Sequence, residues 1–219
     1  MKGGKLKLHA VTHSPFAARV RMALRVKGVP FEQVALPGGS TRSPEYLAIN
    51  PIGKLPVLVT DDGLVIAESE TIIDYLEDTF PEPSLIPPGT ADRVRMRNAI
   101  RTTELYVVPA LFRLFGQMDP ALRDAGIVAA ELAQLRNGLG LVQHFVDDAP
   151  FATAGVLTKA DCMILPTLLL IDIIEHLFGV ESILRDLPCL AGYAEKAAGH
   201  AVLGAVRSET VEALSALMQ

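Results

Sequence analysis

Three short segments in the first part of the chain combine residue types that could bind and activate a small molecule. The first is His13-Ser14-Pro15-Phe16, where a strand pattern ends and a helix pattern begins. Serine is a preferred N-cap and proline suits the first helical position, so capping alone would explain Ser14. Alternatively, its hydroxyl faces a bound anion or thiolate, aided by the positive end of the helix dipole. This segment alone leaves both interpretations open.

The second segment runs from Asn50 to Val57 and places Pro56 directly before a strand. A trans proline at the start of a strand is one explanation. A cis proline is the other, and it would turn the N–H and C=O of Leu55 away from the sheet. Those two groups could then pair with an extended peptide as an added strand does. The spacing favours neither isomer.

The third segment is Glu68-Ser69, which joins the end of a strand to the start of a helix. Capping by Ser69 is again a sufficient explanation. The functional alternative is a clamp for an amino-acid head group. In that clamp Ser69 and its N–H bind the carboxylate, while Glu68 binds the ammonium group.

The elements that must position these segments alternate between strand and helix. Leu6, Leu8 and Ala10 alternate with Lys5, Lys7 and His9, which indicates a strand. The pattern then predicts a helix from Ser14 to a stop at Gly28, a strand over 31–36, a short helix from Ser43 to Asn50, a hairpin of 57–59 with 64–66, and a helix capped by Ser69. This βαβ-α-ββα order predicts a mixed four-stranded sheet within an α/β domain.

The remainder of the chain is predicted to be all-helical. Four prolines lie in the stretch 81–89, which is typical of an interdomain linker. Helices are expected from Asp92 onward with a kink at Pro109, over 122–146, from Thr158 to Leu177, and after Pro188. The sequence Thr158-Lys159-Ala160-Asp161 resembles a capping box with aspartate in place of glutamate. We therefore predict domains at 1–80 and 91–219, joined by a linker at 81–90.

Composition narrows the classes of function. The chain has 219 residues, is 50% hydrophobic and carries a formal charge of -5, so we expect no nucleic-acid partner. The two cysteines, Cys162 and Cys189, indicate neither a disulfide framework nor a metal site. The amino terminus lacks the apolar run of a secretory signal, and no apolar stretch is long enough to span a bilayer. These features predict a cytoplasmic protein without a metal or a membrane partner.

Taken together and in this order, the segments resemble the cytosolic glutathione transferases. The resemblance rests on the run Ser14–Arg21, on Asn50-Pro51 through Leu55-Pro56, and on Glu68-Ser69 followed by Ile72, Tyr75 and Leu76. Beyond the linker, Thr158–Asp161 and Leu187–Tyr193 are similar to patterns of the family's second domain. The resemblance implies a thioredoxin-like first domain and an all-helical bundle. No cysteine lies between Thr12 and Ala18 and no tyrosine precedes Ser14, so the serine-type classes fit, with theta, tau and zeta unresolved.

The resemblance also implies how glutathione, the co-substrate, would be held. Ser14 would donate a hydrogen bond to the glutathione sulfur, and the backbone of Leu55, followed by a cis Pro56, would pair with the cysteinyl unit. Glu68 and Ser69 would bind the γ-glutamyl end. The remaining candidate residues for glutathione are Phe16 and Lys54, the latter for the glycyl carboxylate, and more weakly Arg42. His13 is a neighbour of Ser14 without an assigned role.

The same resemblance places a hydrophobic electrophile against Tyr106, Phe112 and Phe115, although aromatic residues at helical spacing are also typical of a core. It implies a homodimer, to which a charged helix face could contribute; a solvated face is the alternative. The residues of that face are Arg93, Arg95, Arg97, Arg101 and Glu104. Arg19 and Arg21 are expected to be structural or interface residues.

Three functions compete on this pattern. The first is addition of the glutathione thiolate to an electrophile, as in detoxification. The second uses the same site as a glutathione-dependent peroxidase, ether-cleaving enzyme or isomerase, although the double-serine-cysteine signature of the zeta isomerases is absent. The third is a non-catalytic interaction module with the same fold, which the presence of Ser14, Leu55-Pro56, Glu68 and Ser69 disfavours.

Overall fold

The computed structural model describes residues 6–217, which form two compact units. The first unit contains the residues up to Leu85 together with those from Ala201 onward, and the second is Ile86–His200. Of the predicted first strand, Lys5 lies outside the described residues. The domain limits 1–80 and 91–219 remain a prediction, because they divide the chain by motif whereas the units divide it by packing.

The first unit contains the mixed four-stranded sheet that the sequence predicts. Its strands are β1 (Leu6–His9), β2 (Phe31–Val34), β3 (Val57–Val59) and β4 (Val65–Ala67). The spatial order is β2-β1-β3-β4, with β1 parallel to β2 and antiparallel to β3, and β3 antiparallel to β4. The predicted fold class, a thioredoxin-like domain with helical remainder, is confirmed.

The helices of the first unit are α1 (Pro15–Val26), α2 (Pro44–Ile49), α3 (Ser69–Thr79) and, at the other end of the chain, α9 (Ala201–Leu217). Those of the second unit are α4 (Thr90–Thr102), α5 (Val108–Phe115), α6 (Ala125–Gln143), α7 (Lys159–Phe178) and α8 (Pro188–Ala198). Helix α1 packs against α3 and α9. The sequence predicts one helix after Pro188, whereas the structure has two, α8 and α9, divided at Gly199-His200.

Three other predictions need correction. Ser69 is the first residue of α3, and Glu68 occupies the N-cap position without a side-chain capping bond, so Ser69 does not cap this helix. The second strand ends at Val34, before Pro37, rather than at Leu36. The last strand covers residues 65–67 instead of the predicted 64–66. Leu64 belongs to the turn, because its carbonyl accepts the N–H of Thr60 while the Thr60 carbonyl accepts the N–H of Gly63.

A buried ion pair fixes the chain where it leaves α3. Lys27 and Glu77 lie 2.5 Å apart with both side chains almost fully buried. Lys27 Nζ also donates to the carbonyls of Phe80 and Pro83, and Glu77 accepts the N–H of Leu85. Because buried charges are tolerated only when paired and hydrogen-bonded, these contacts define the path of the chain through residues 80–85.

In the second unit, α7 is buried nearly all round, as its apolar sequence predicts. The predicted capping box is present: Thr158 accepts the N–H of Ala160, and Asp161 accepts the N–H of Thr158 at 2.7 Å. Asp161 also accepts the N–H of Ala152 at 2.7 Å. One carboxylate therefore holds both the start of α7 and the preceding loop.

The segment between α4 and α5 packs closely on α6. A π-helical turn, Thr103–Val107, lies just before Pro109, whose ring nitrogen cannot donate a backbone hydrogen bond. The backbone of this turn touches α6 at Gly138, where a Cβ atom would overlap the carbonyl oxygen of Tyr106 and lie 2.8 Å from its carbonyl carbon. Only glycine fits this contact without displacement of one backbone segment.

We expect Gly138→Ala to lower the free energy of unfolding by about 2–3 kcal/mol, because the added methyl group must push the two helical segments apart. Gly140→Ala is the matched control, since no atom lies within 4 Å of its Cβ position. Loss of a helical glycine there should raise stability by about 0.5–1 kcal/mol. Urea unfolding of both variants measures the difference, and equal effects would contradict the packing argument.

Candidate active site

The three chemically suggestive segments meet at one end of the sheet. In the strand register, Val57 pairs with His9 on one side and with Ala67 on the other. His9 leads into the turn before Ser14, Leu55-Pro56 precedes Val57, and Glu68-Ser69 follows Ala67. The structure thus brings together the segments that the sequence analysis selected separately.

Ser14 is the N-cap of α1 and is 7% exposed. Its Oγ accepts the N–H of Ala17 at 3.2 Å, which confirms the capping interpretation. Capping uses only the acceptor side of the hydroxyl, so its proton can still be donated to a ligand. The first turn of α1 contains no acidic residue that would offset the positive end of the helix dipole.

Phe16 lies in the first turn of α1, half-buried, with the guanidinium of Arg19 4.4 Å from its ring centroid. A cation over an aromatic face is an attractive contact. Arg19 is itself 2% exposed, so the pair is part of the interior behind the start of α1. This agrees with the structural role expected of Arg19.

The Leu55-Pro56 peptide bond is cis. Within residues 6–217, no backbone group pairs with the N–H or C=O of Leu55. Next to it, the carbonyl of Lys54 accepts two hydrogen bonds, from Tyr46 Oη at 2.6 Å and from Asn50 Nδ2 at 2.7 Å. Two buried side chains therefore fix the loop before Leu55, while the N–H and C=O of Leu55 remain available to an extended ligand.

The sequence analysis missed that Tyr46 and Asn50 support this loop of the candidate site. Both are buried, and Asn50 also accepts the N–H of Ile52 at 3.1 Å. Burial raises the pKa of the Tyr46 hydroxyl, so it remains a donor at neutral pH. Burial likewise lowers the pKa of His9, whose ring packs edge-on against Tyr46 at 6.5 Å. The only sequence signal for this pair is Asn50-Pro51, which predicts the end of α2.

Glu68 has a backbone φ of 66° and ψ of 126°, a left-handed conformation that is rare for a residue with a side chain. This conformation turns the chain sharply from β4 into α3. Ser69 is 5% exposed, whereas Glu68 is exposed. The start of α3 thus places the buried Ser69 directly after the exposed Glu68, at the same end of the sheet as Ser14.

The remaining residues that the sequence predicts for the site are mostly exposed side chains. Lys54 and Arg42 are exposed, and His13 is half-buried in the turn before Ser14. In the second unit, Tyr106 and Phe112 are each 53% exposed and Phe115 is half-buried. The two more exposed rings are thus not core residues of that unit. Their contribution to a pocket stays a prediction.

Three of the four arginines of α4 have partners within the second unit. Arg95 pairs with Asp147 at 2.7 Å and donates to the carbonyl of Phe145, while Arg101 lies 3.4 Å from Glu104. Arg93 donates to Thr90 on its own helix. These contacts fit the solvated-face interpretation, and an interface role stays a prediction.

Within residues 6–217, none of the helices combines the length and apolarity that crossing a membrane requires. Over the same residues, no group of His, Cys, Asp and Glu side chains is arranged to hold a metal ion.

Comparison with known proteins shows which family the sequence resembles. Residues 8–84 match the family described as "Glutathione S-transferase, N-terminal domain". A glutathione S-transferase of Pseudomonas putida is 34% identical over 167 residues, which cover 72% of this chain and 71% of that protein. The maleylacetoacetate isomerase of Pseudomonas aeruginosa is 38% identical over 96 residues, but the match covers only 42% of this chain and 45% of the isomerase.

The fold is also found in solved structures. The glutathione transferase URE2P5 of Phanerochaete chrysosporium superposes with a TM-score of 0.83 over 100% of both chains, at 18% sequence identity. At that identity the likeness concerns the fold alone.

Proposed function

Because this chain belongs to the glutathione S-transferase family, we propose that it binds reduced glutathione at the Ser14 end of the sheet and stabilises the thiolate for attack on an electrophilic small molecule. The observation that carries the proposal is the state of Ser14. Its oxygen caps α1 through Ala17, and its proton is left for an acceptor at the positive end of that helix.

The physical need for this arrangement lies in the thiol. A thiol of ordinary pKa, about 8.5, is mostly protonated at neutral pH, and only the thiolate is a good nucleophile. A donated hydrogen bond and a helix N-terminus both favour the anion. Ser14 would lower the pKa of the glutathione thiol and would not itself attack the substrate.

The rest of the tripeptide fits the other segments. The N–H and C=O of Leu55, positioned by cis Pro56, would pair with the cysteinyl backbone. Ser69 and the N–H groups of the first turn of α3 would bind the γ-glutamyl carboxylate, and Glu68 its ammonium group. Lys54 would face the glycyl carboxylate, and Phe16 would pack beside the ligand.

The proposal extends to the second substrate and to the assembly. The exposed rings of Tyr106 and Phe112, with Phe115, would contact a hydrophobic electrophile. By analogy with the family, the protein would be a cytoplasmic homodimer. Size-exclusion chromatography with light scattering measures the oligomeric state.

Isomerisation is the second candidate, because a maleylacetoacetate isomerase is 38% identical over 96 residues of this chain. An isomerase would use the same thiolate to add to a conjugated double bond and then leave again. Parallel assays with an aromatic halide and with maleylacetoacetate distinguish the two reactions, since only the first consumes glutathione.

The proposed function is tested by calorimetric titration of reduced glutathione into the protein, with thiolate absorbance followed in the ultraviolet. Binding accompanied by a thiolate signal at neutral pH is the expected result. S-methylglutathione is the control ligand, because it should bind without that signal. No binding of glutathione to the wild-type protein would overturn the proposal and favour a non-catalytic interaction module.

Tyr46→Phe tests the support of the Leu55 loop. The change removes the hydroxyl that donates to the Lys54 carbonyl and preserves the ring that packs against His9. One lost hydrogen bond is worth about 1 kcal/mol, so we expect KM for glutathione to rise roughly fivefold with kcat nearly unchanged. Steady-state kinetics measures both constants. A loss confined to kcat would contradict this role.

A further inference from the structure

Helix α9 reaches the turn before Ser14 through one buried arginine. Arg21, two turns into α1, donates from Nη1 to Glu209 at 2.7 Å and from Nη2 to Thr210 at 2.8 Å, both on α9. The same Nη2 donates to the carbonyl of Thr12 at 2.9 Å. We call Arg21, Glu209 and Thr210, together with the Thr12 carbonyl, the Arg21 clamp.

The clamp is a costly arrangement. Arg21 is only 2% exposed, and burial lowers its pKa while Glu209 opposes that effect. The two terminal nitrogens of this guanidinium have acceptors that determine its orientation, whereas its buried Nε has no partner among the described residues. A contact that served only to attach α9 to α1 could use exposed residues, as the pair Arg25–Glu209 does at 2.7 Å.

The geometry at Nη2 links α9 directly to the turn. This nitrogen carries two hydrogens, and Thr210 and Thr12 each accept one. Thr210 in turn donates to the carbonyl of Val206 at 2.7 Å, which orients its own lone pairs toward Arg21. Thr210 therefore directs the second hydrogen of Nη2 toward the Thr12 carbonyl.

Thr12 lies two residues before Ser14 and takes part in two hydrogen bonds. Its carbonyl is held by Arg21 and its hydroxyl accepts from Gln33 Nε2 at 3.2 Å. The Ser14 N–H then donates to Val11, and the Ser14 carbonyl accepts from Ala18. A shift of the Thr12 peptide would consequently move the backbone from which the Ser14 hydroxyl projects.

We propose that Glu209 and Thr210 of α9 are positioning residues, which act through Arg21 to hold the Thr12–Ser14 turn and thereby the hydroxyl of Ser14. This inference rests on the proposed function, since it concerns the strength of the hydrogen bond from Ser14 to the bound sulfur. According to this inference, α9 influences the pKa of the bound glutathione thiol.

The test compares variants that break the clamp with one that breaks only the neighbouring pair. Thr210→Val removes the acceptor for Nη2 at nearly constant volume, and Glu209→Gln removes the charge at Nη1. Thr210→Ser is the rescue variant, because it retains the hydroxyl. Arg25→Met is the matched control, since Arg25 binds the same Glu209 but makes no contact with the turn.

The readout is the ultraviolet absorbance of the thiolate of bound glutathione as a function of pH, together with kcat and KM. For Thr210→Val and Glu209→Gln we expect the pKa of the bound thiol to rise by about 0.5–1 unit, which lowers the ratio of thiolate to thiol roughly three- to tenfold at any given pH. KM for glutathione should change little. Thr210→Ser and Arg25→Met should titrate like the wild type.

Two results would overturn the inference. If the folded clamp variants titrate like the wild type, α9 is only a structural neighbour of α1. If Arg25→Met shifts the thiol pKa as much as Thr210→Val does, general docking of α9 matters and the clamp does not. Failure of the wild type to bind glutathione is a separate outcome, which removes the proposed function and this inference with it.

Discussion

Replacement of Ser14 by alanine is expected to lower kcat by about 100-fold, with a much smaller effect on the affinity for glutathione. The alanine variant retains the helix N-terminus but has no proton to donate to the sulfur. A 100-fold loss corresponds to about 2.7 kcal/mol of transition-state stabilisation, the usual value of one preorganised donor at a developing or localised charge. Stopped-flow and steady-state kinetics, with calorimetry for the affinity, measure the two effects.

The capping role of Ser14 must be separated from its role as donor. Because Ala17 donates to Ser14 Oγ, Ser14→Ala also loses about 1 kcal/mol of stability. Ser14→Asp retains a good N-cap but carries no proton at neutral pH, so it should be stable and inactive. Ser14→Thr retains both functions and should recover much of the rate. An active aspartate variant would show that the hydroxyl proton is dispensable.

Features that depend on a few neighbouring residues could be predicted from the sequence. Ser14, Ser43 and Thr158 were each identified as the start of a helix, and each side chain accepts a backbone N–H in the structure. The mixed sheet followed from the lengths of the connections, since a helix joins β1 to β2 and a short turn joins β3 to β4. Caps and turns carry their own sequence signals because their hydrogen bonds are local.

Ser69 shows where local rules failed. Serine after a strand was interpreted as a cap, but Glu68 takes the N-cap position with a φ of 66°. Propensity argues against a positive φ for glutamate, so no local rule would have selected it. Such a conformation persists only when the surrounding structure determines it, and here it lies between the end of β4 and the start of α3.

Contacts between distant parts of the chain were beyond sequence reasoning. Arg21 and Glu209 are 188 residues apart, and neither has a neighbour that indicates the pairing. The role of Tyr46 could not be predicted either. Its hydroxyl donates to the backbone carbonyl of Lys54, and every residue has such a carbonyl, so the sequence does not indicate the partner. The residues expected to touch the ligand were thus accessible from sequence, whereas those that hold them in place became visible only in the fold.

Asp161→Ala is expected to cost about 2–5 kcal/mol of stability, although the residue is far along the chain from Ser14. The change leaves two buried N–H groups, those of Ala152 and Thr158, without their acceptor. Each unsatisfied buried donor costs about 1–3 kcal/mol. Urea unfolding measures the loss, and Asp124→Ala, which removes an exposed cap of α6, is the control with an expected loss of about 1 kcal/mol.

The same carboxyl should make stability depend on pH with a distinctive sign. Burial raises the pKa of Asp161 from 3.8 to about 6 in the folded protein, against the opposing hydrogen bonds from Thr158 and Ala152. A raised pKa means that the folded state retains a proton which the unfolded state releases. The stabilisation from this proton is complete below pH 3.8 and is lost as the pH rises through about 6.

Asp161→Asn isolates this effect, because the amide imitates the protonated acid in shape and charge. The unfolding free energy of the wild type, relative to that of Asp161→Asn, should therefore fall by about 2–2.5 kcal/mol between pH 4 and pH 7, most of the full effect at 1.4 kcal/mol per unit of pKa shift. The penalty of Asp161→Ala should shrink over the same interval. A difference that instead grows with pH would mean that the three hydrogen bonds to this carboxylate outweigh its burial, and that Asp161 is held as an anion.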